Sequence, residues 1–172
     1  MIQGKSFYKL LLGKAALPIF VILGVGILYI ILMSIINHHS LPFPIIILFL
    51  ALAKTIIIAS NTLKQLSKLI KICHSLERLL LVFGLLIGIS ILSFATDYTC
   101  LHQFEPSTFK GVPSFSDAYI YNMYHFIYFS VITFFTVGYG DIVPISEVAR
   151  FVVMLEIFLS FFIICLLYTS PS

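Results

Sequence analysis

The sequence contains no tryptophan and little charge. Lysine and arginine (10 residues) with aspartate and glutamate (7 residues) make up 10% of the 172 residues, against a hydrophobic share of 60%. Ordinary globular chains are about 45–50% apolar, and a soluble domain of this length has no means of burying the excess. A soluble globular protein is excluded on that ground, and the chain reads as a polytopic membrane protein. The net charge of +3 is not gathered on a polar face, so a nucleic-acid partner is not expected. Cysteine is scarce: Cys73, Cys100 and Cys165 are the three present. Their spacing fits no metal site, and only Cys100 falls on the predicted outer side, so an intrachain disulfide is not expected. No nucleophile–base pair or metal-ligand cluster occurs, which argues against an enzyme and calls for no cofactor. No cleavable signal-peptide pattern opens the chain; its first apolar run is long enough to span a bilayer and reads as an anchor. With Trp missing, Tyr and Phe take the interfacial roles.

What the chain does have is long apolar runs, each about the 20 residues needed to cross about 30 Å of hydrocarbon. Residues 1–14 form a tail carrying Lys5, Lys9 and Lys14, and residues 15–36 form a first span. The loop that follows holds His38 and His39, which have no further ligand nearby and read as solvated. Residues 45–63 form a second span, so that residues 15–63 supply two N-terminal transmembrane helices. Lys54 lies inside the second of these. A charge there marks a functional position by default, or it lies toward a headgroup layer and snorkels. Residues 64–78 are basic; Lys64, Lys68 and Lys71 fall at i, i+4 and i+7, one stripe of a helix. With Leu66, Leu69, Ile70 and Ile72 beside them, they suit a helix at the inner membrane face near anionic lipid. Voltage sensing is disfavoured, because this run lies outside the hydrocarbon window.

Residues 79–96 form a third span, in which Gly84 and Gly88 are spaced for close helix packing; lipid-facing sequence explains them nearly as well. Residues 97–121 are polar and punctuated by Pro and Gly, and read as a loop with Asp97, Glu105 and Lys110 exposed. Ser116 or Asp117 is a candidate helix cap. Residues 122–135 are apolar and aromatic but too short to span, so they read as a re-entrant helix. A final span covers residues 149–168. Between these two helices lies Thr136-Val137-Gly138-Tyr139-Gly140-Asp141. Glycines that tolerate positive φ let successive carbonyls face one way, and such a row replaces the water around a bare cation. Irregular backbone of this kind at membrane depth is tolerated only where protein or a water-filled cavity surrounds it.

Residues 128–144 resemble the pore helix and selectivity filter of potassium channels, whose TVGYG loop coordinates the ion. The resemblance covers mainly residues 118–167. It implies an all-α membrane protein: four transmembrane helices, a re-entrant pore helix (122–135) and filter (136–141) between the last two, and assembly as a homotetramer. Residues 79–172 would then be the pore domain, with outer helix 79–96 and inner helix 149–168. Carbonyls of Thr136, Val137, Gly138 and Tyr139 would form successive oxygen rings for K+, the Thr136 hydroxyl adding the innermost, and Gly140 completing the turn. Tyr139 would point away from the ions, Tyr128 and Phe129 would form an aromatic cuff, and Asp141 would accept a hydrogen bond from Tyr128. The only ligand implied is K+ as permeant ion.

Four positions depart from the family pattern. Phe135 stands where many members have a second Thr. Ile132 occupies a position where some place a carboxylate. Val143, not an aromatic, sits at the outer mouth. Ser160 replaces the usual hinge glycine of the inner helix, which removes backbone freedom there. Glu156 is the second intramembrane charge, and opposite sign makes pairing with Lys54 one reading. In the other, Glu156 is protonated or bonds within its own subunit near the pore helix.

The pore-loop topology puts the N-terminus inside. Lys5, Lys9, Lys14, Lys64, Lys68, Lys71 and Arg78 then fall inside, and only Lys110 and Arg150 outside, as the positive-inside rule requires. A multi-pass protein of the cell membrane with a cytoplasmic N-terminus is expected. Asp97, Glu105, Asp117, Asp141 and Glu147 fall outside, where acids raise cation concentration at a pore entrance. Other readings are a non-conducting accessory subunit and a potassium-uptake transporter, although the latter carries four degenerate loops per chain. The short segment after the last span reads as a minimal pore or, because the family's inner helix usually continues, as a fragment of a larger regulated channel.

Overall fold

The computed structural model describes residues 43–69, 76–113 and 119–169, together with Gly24 and Ile27. The tail 1–14, the first span 15–36 apart from those two residues, the His38–His39 loop, Lys71 and the proposed cap at Ser116 or Asp117 lie outside the described residues. Helix α1 spans Phe43–Leu69, α2 Leu76–Phe104, α3 Tyr119–Phe134 and α4 Glu147–Thr169. A single 3-10 turn, Pro106–Thr108, follows α2, and two short strands, β1 (Phe109–Lys110) and β2 (Val143–Pro144), pair antiparallel.

Two of these boundaries correct the sequence pattern. The second span was expected to stop at 63, before a separate basic linker. Instead α1 continues through Lys64 and Lys68 to Leu69. Lys, Gln and Leu are good helix formers and no Gly or Pro interrupts them. The third span was expected to stop at 96, with Asp97 in an exposed loop. Instead α2 runs eight residues further, to Phe104, and Asp97 is fully buried. Polarity there does not demand water, because the side chains bond locally. Thr96 Oγ1 donates to the Leu92 carbonyl at 2.8 Å and Thr99 Oγ1 to the Ala95 carbonyl at 2.7 Å. The helix ends where Glu105 turns extended (φ −137°) and Pro106 follows, which has no N–H to continue the ladder.

By length and composition, two described helices are able to cross a membrane, over Leu80–Phe104 and Glu147–Leu166. The apolar stretch of α1, Ile45–Ser60, is shorter. α2 packs most extensively on α3, while α1 lies against both α2 and α4. The buried face of α1 is Ile47, Ala51, Lys54 and Ile58, one stripe at helical spacing with a lysine in the middle. Beneath the outer loop the core is aromatic. Tyr98 meets Phe109 and Phe129 edge-on at 5.5 and 5.3 Å, and Phe126 meets Phe109 edge-on at 4.9 Å. Such edge-to-face pairs set ring orientation as well as burying area. This cluster roots α2, α3 and β1 together, and so fixes where α3 delivers the loop that follows it.

Gly84 and Gly88 mediate no close packing among the described residues. An added Cβ at either would meet nothing within 4 Å.

Candidate pore loop

α3 has 16 residues, about 24 Å of helix, and so falls short of the hydrocarbon thickness. How it stops determines the shape of the loop. Thr136 N–H donates to the Thr133 carbonyl at 3.0 Å, and Val137 N–H to the Ile132 carbonyl at 2.8 Å. These are the 5→2 and 6→1 bonds of a Schellman motif, whose C′ residue must be left-handed. That residue is Thr136, with φ +56°, the only non-glycine with positive φ among the described residues.

From there the handedness alternates. Thr136, Gly138 (φ +55°) and Gly140 (φ +78°) are left-handed, whereas Val137 and Tyr139 are not. A chain that alternates in this way is neither helix nor strand. Gly138 and Gly140 bear this without cost, since glycine enters that region freely. An added Cβ at either would meet no atom within 4 Å, so it is the dihedral and not crowding within the chain that selects glycine. Residues 135–141 are all exposed, Val137 at 50% and Tyr139 at 72%.

The return path is clamped. Ile142 is buried, β2 pairs with β1 through Phe109 with Pro144 and Lys110 with Val143, and Ile145 N–H donates to the Thr108 carbonyl at 2.8 Å. Gly111, with φ +90°, lies under the loop: a Cβ there would come within 1.8 Å of the Asp141 backbone oxygen. Ser146 then caps α4, its Oγ accepting from Ala149 N–H at 3.2 Å. The neighbouring Tyr128 hydroxyl holds the Asp141 carboxyl below the usual carboxylate range. Phe129, by contrast, is turned into the aromatic core against Tyr98. Phe135 is half exposed beside Phe134, and Ile132 is buried.

The intramembrane charges pair otherwise than opposite sign alone implied. Lys54 and Glu156 do not bond to one another. Lys54 Nζ donates to both carboxylate oxygens of Asp97 at 2.7 Å and to the Ser93 carbonyl at 2.9 Å. It is 2% exposed, so it does not snorkel. Glu156 is fully buried, with Oε2 accepting from the Tyr98 hydroxyl at 2.6 Å and Oε1 in contact with Ser130 Oγ on α3. Its bonds therefore lie within its own subunit, next to the pore helix. Ser160 is buried, donates to the Ile157 carbonyl at 2.8 Å, and sits in an uninterrupted α4.

Sequence reasoning placed Asp97 among the external acids, whereas it is buried, and did not single out Tyr98, Ser130 or Gly111. One signal for the acid was available: Ser90, Ser93 and Asp97 lie at i, i+3 and i+7, a polar stripe on one face of an apolar helix, and all are buried.

Among the described residues no group of His, Cys, Asp and Glu is placed to hold a metal ion by side chains. Residues 107–170 match a protein-family model described as an ion channel. That match supports a likeness of this segment to ion-channel pore domains. No curated protein and no solved structure matches the chain.

Proposed function

We propose that the chain is the subunit of a homotetrameric channel that conducts K+ passively through a filter made by residues 136–140. The observation that carries this reading is the alternating backbone of Thr136, Gly138 and Gly140 at the C-terminal end of a short apolar helix, an alternation that would let successive carbonyls face one side. Carbonyls of Thr136, Val137, Gly138 and Tyr139, with the Thr136 hydroxyl, replace the hydration shell of the ion, and adjacent sites let neighbouring ions push one another onward. The negative end of the α3 dipole faces the same region and favours cations. Potassium, rather than cations at large, is proposed because the six residues 136–141 agree with the potassium-channel filter.

Four copies are needed, since one loop lines only part of a pore. The burial pattern supports partners. Only 33% of the most apolar window of α4 is buried within one chain, against 61% for α2. Phe151, Met154, Ile157, Phe158 and Phe161 of α4 stay exposed, with Val137 and Tyr139 above them. Arranged about an axis, these faces cover one another. In a cell membrane the basic end of α1, with Lys64 and Lys68, would lie on the cytoplasmic side away from the filter, near anionic lipid together with Lys71.

The test is Gly138→Ala. An L-residue in the left-handed region costs about 1 kcal/mol at each of four equivalent positions, which lets the carbonyls rotate out of line. The variant is expected to assemble but to lose its preference for K+ over Na+ in reconstituted flux assays. Unchanged preference in an assembled variant contradicts the proposed filter.

A further inference from the structure

The buried polar cluster behind the pore loop contains more acceptors than its hydrogens satisfy if both acids are ionised. Ser130 Oγ has one proton and faces two oxygens, the Ile91 carbonyl at 3.1 Å and Glu156 Oε1. The Ile91 carbonyl has no proton to give. With Glu156 ionised, the single Ser130 proton serves one of the two oxygens and leaves the other contact as oxygen against oxygen. With a proton on Oε1, every contact closes: Oε1–H donates to Ser130 Oγ, Ser130 O–H donates to the Ile91 carbonyl, and Tyr98 O–H donates to Oε2.

Charge counting agrees. Among the described residues, the groups facing Glu156 are Lys54 from α1, Asp97 and Tyr98 from α2, and Ser130 from α3. Lys54 has three N–H donors, and all three are taken, two by Asp97 and one by the Ser93 carbonyl. One cation and one carboxylate already balance. A second, fully buried carboxylate would be uncompensated, which costs several kcal/mol.

We propose that Glu156 is held as a neutral carboxylic acid and acts, as a hydrogen-bond donor to Ser130, as the positioning residue that fixes the pore helix behind the filter. The inference that it positions the filter rests on the proposed channel function; the assignment of the proton does not. Ser130 lies two residues before Ile132, whose carbonyl accepts from the Val137 and Gly138 N–H groups on either side of the loop's first turn. A shift of Ser130 is therefore passed to the first oxygen ring within two helical turns.

The test uses the full chain, purified and reconstituted in phosphatidylcholine–phosphatidylglycerol vesicles. Infrared spectroscopy of the wild type at neutral pH is expected to show a carboxylic-acid C=O stretch that shifts in heavy water and vanishes in Glu156→Gln. The amide of Glu156→Gln reproduces the donor and acceptor of the neutral acid, so this variant retains K+ over Na+ selectivity. Glu156→Ala leaves Tyr98 and Ser130 unpaired, and its selectivity falls by tenfold or more, on the order expected for lost buried hydrogen bonds. Absence of the acid band in the wild type overturns the proposal even if no variant folds. So does a Glu156→Gln tetramer as impaired as Glu156→Ala. A wild type that shows the band yet does not discriminate K+ from Na+ upholds the proton assignment and overturns the filter role with the channel reading.

Discussion

A lysine on the buried stripe of an apolar helix has to meet an acid, and Lys54 meets Asp97 across 43 residues of sequence. That separation is why the pair was not legible: Lys54 stood out, but Asp97 sat in a polar run, Thr96 to Thr99, that looked like the start of a loop. Burial makes the pair costly to break and easy to replace. Lys54→Met alone, or Asp97→Leu alone, strands a charge and is expected to destabilise the fold by about 3–5 kcal/mol. The double variant strands nothing and is expected to return to within about 1 kcal/mol of the wild type, or above it. A double-mutant cycle by reversible unfolding in detergent measures the coupling; additive losses would mean that the two side chains act apart.

At the scale of an element, the pore helix illustrates what a contiguous motif reveals and what it conceals. The six residues from Thr136 to Asp141 were legible because their chemistry is local: two glycines in one short loop bring positive φ wherever they fold. The existence of α3 was legible from its aromatic, sub-spanning length. The Schellman cap was not, because its C′ position carries Thr where Gly is the usual residue. The structure holds Thr136 at φ +56° against its preference, a strain of about 1–2 kcal/mol. Thr136→Gly is therefore expected to keep or raise the thermal stability of the assembled protein while weakening K+ binding, since the hydroxyl ring is lost. Calorimetric K+ titration and thermal unfolding read the two effects separately; a variant that binds K+ as well as the wild type would show that the hydroxyl takes no part. The end of α2 was misjudged for a related reason. Threonine hydroxyls that bond back to carbonyls four residues earlier keep a polar helix turn buried, and polarity alone does not reveal where a hydroxyl will turn.

At the scale of the whole molecule, large apolar side chains stay exposed among the described residues: a row on α4, and Val137 and Tyr139 in the loop. Membrane character was legible from composition, and the ion-channel likeness from a motif that lies within residues 107–170, the segment that matches the ion-channel family model. The network from Lys54 through Asp97 to Tyr98, Glu156 and Ser130 was not legible, because its members come from four helices and meet only once these are packed. Through it, α1 is joined to the helices that hold the loop, so the span preceding the pore domain is part of the same packed unit. The most direct measurement is the reversal potential of the purified tetramer in a planar bilayer between a potassium solution and a sodium solution. The account predicts a value close to the potassium equilibrium potential. A value near zero, or no current from a fully tetrameric protein, would contradict it.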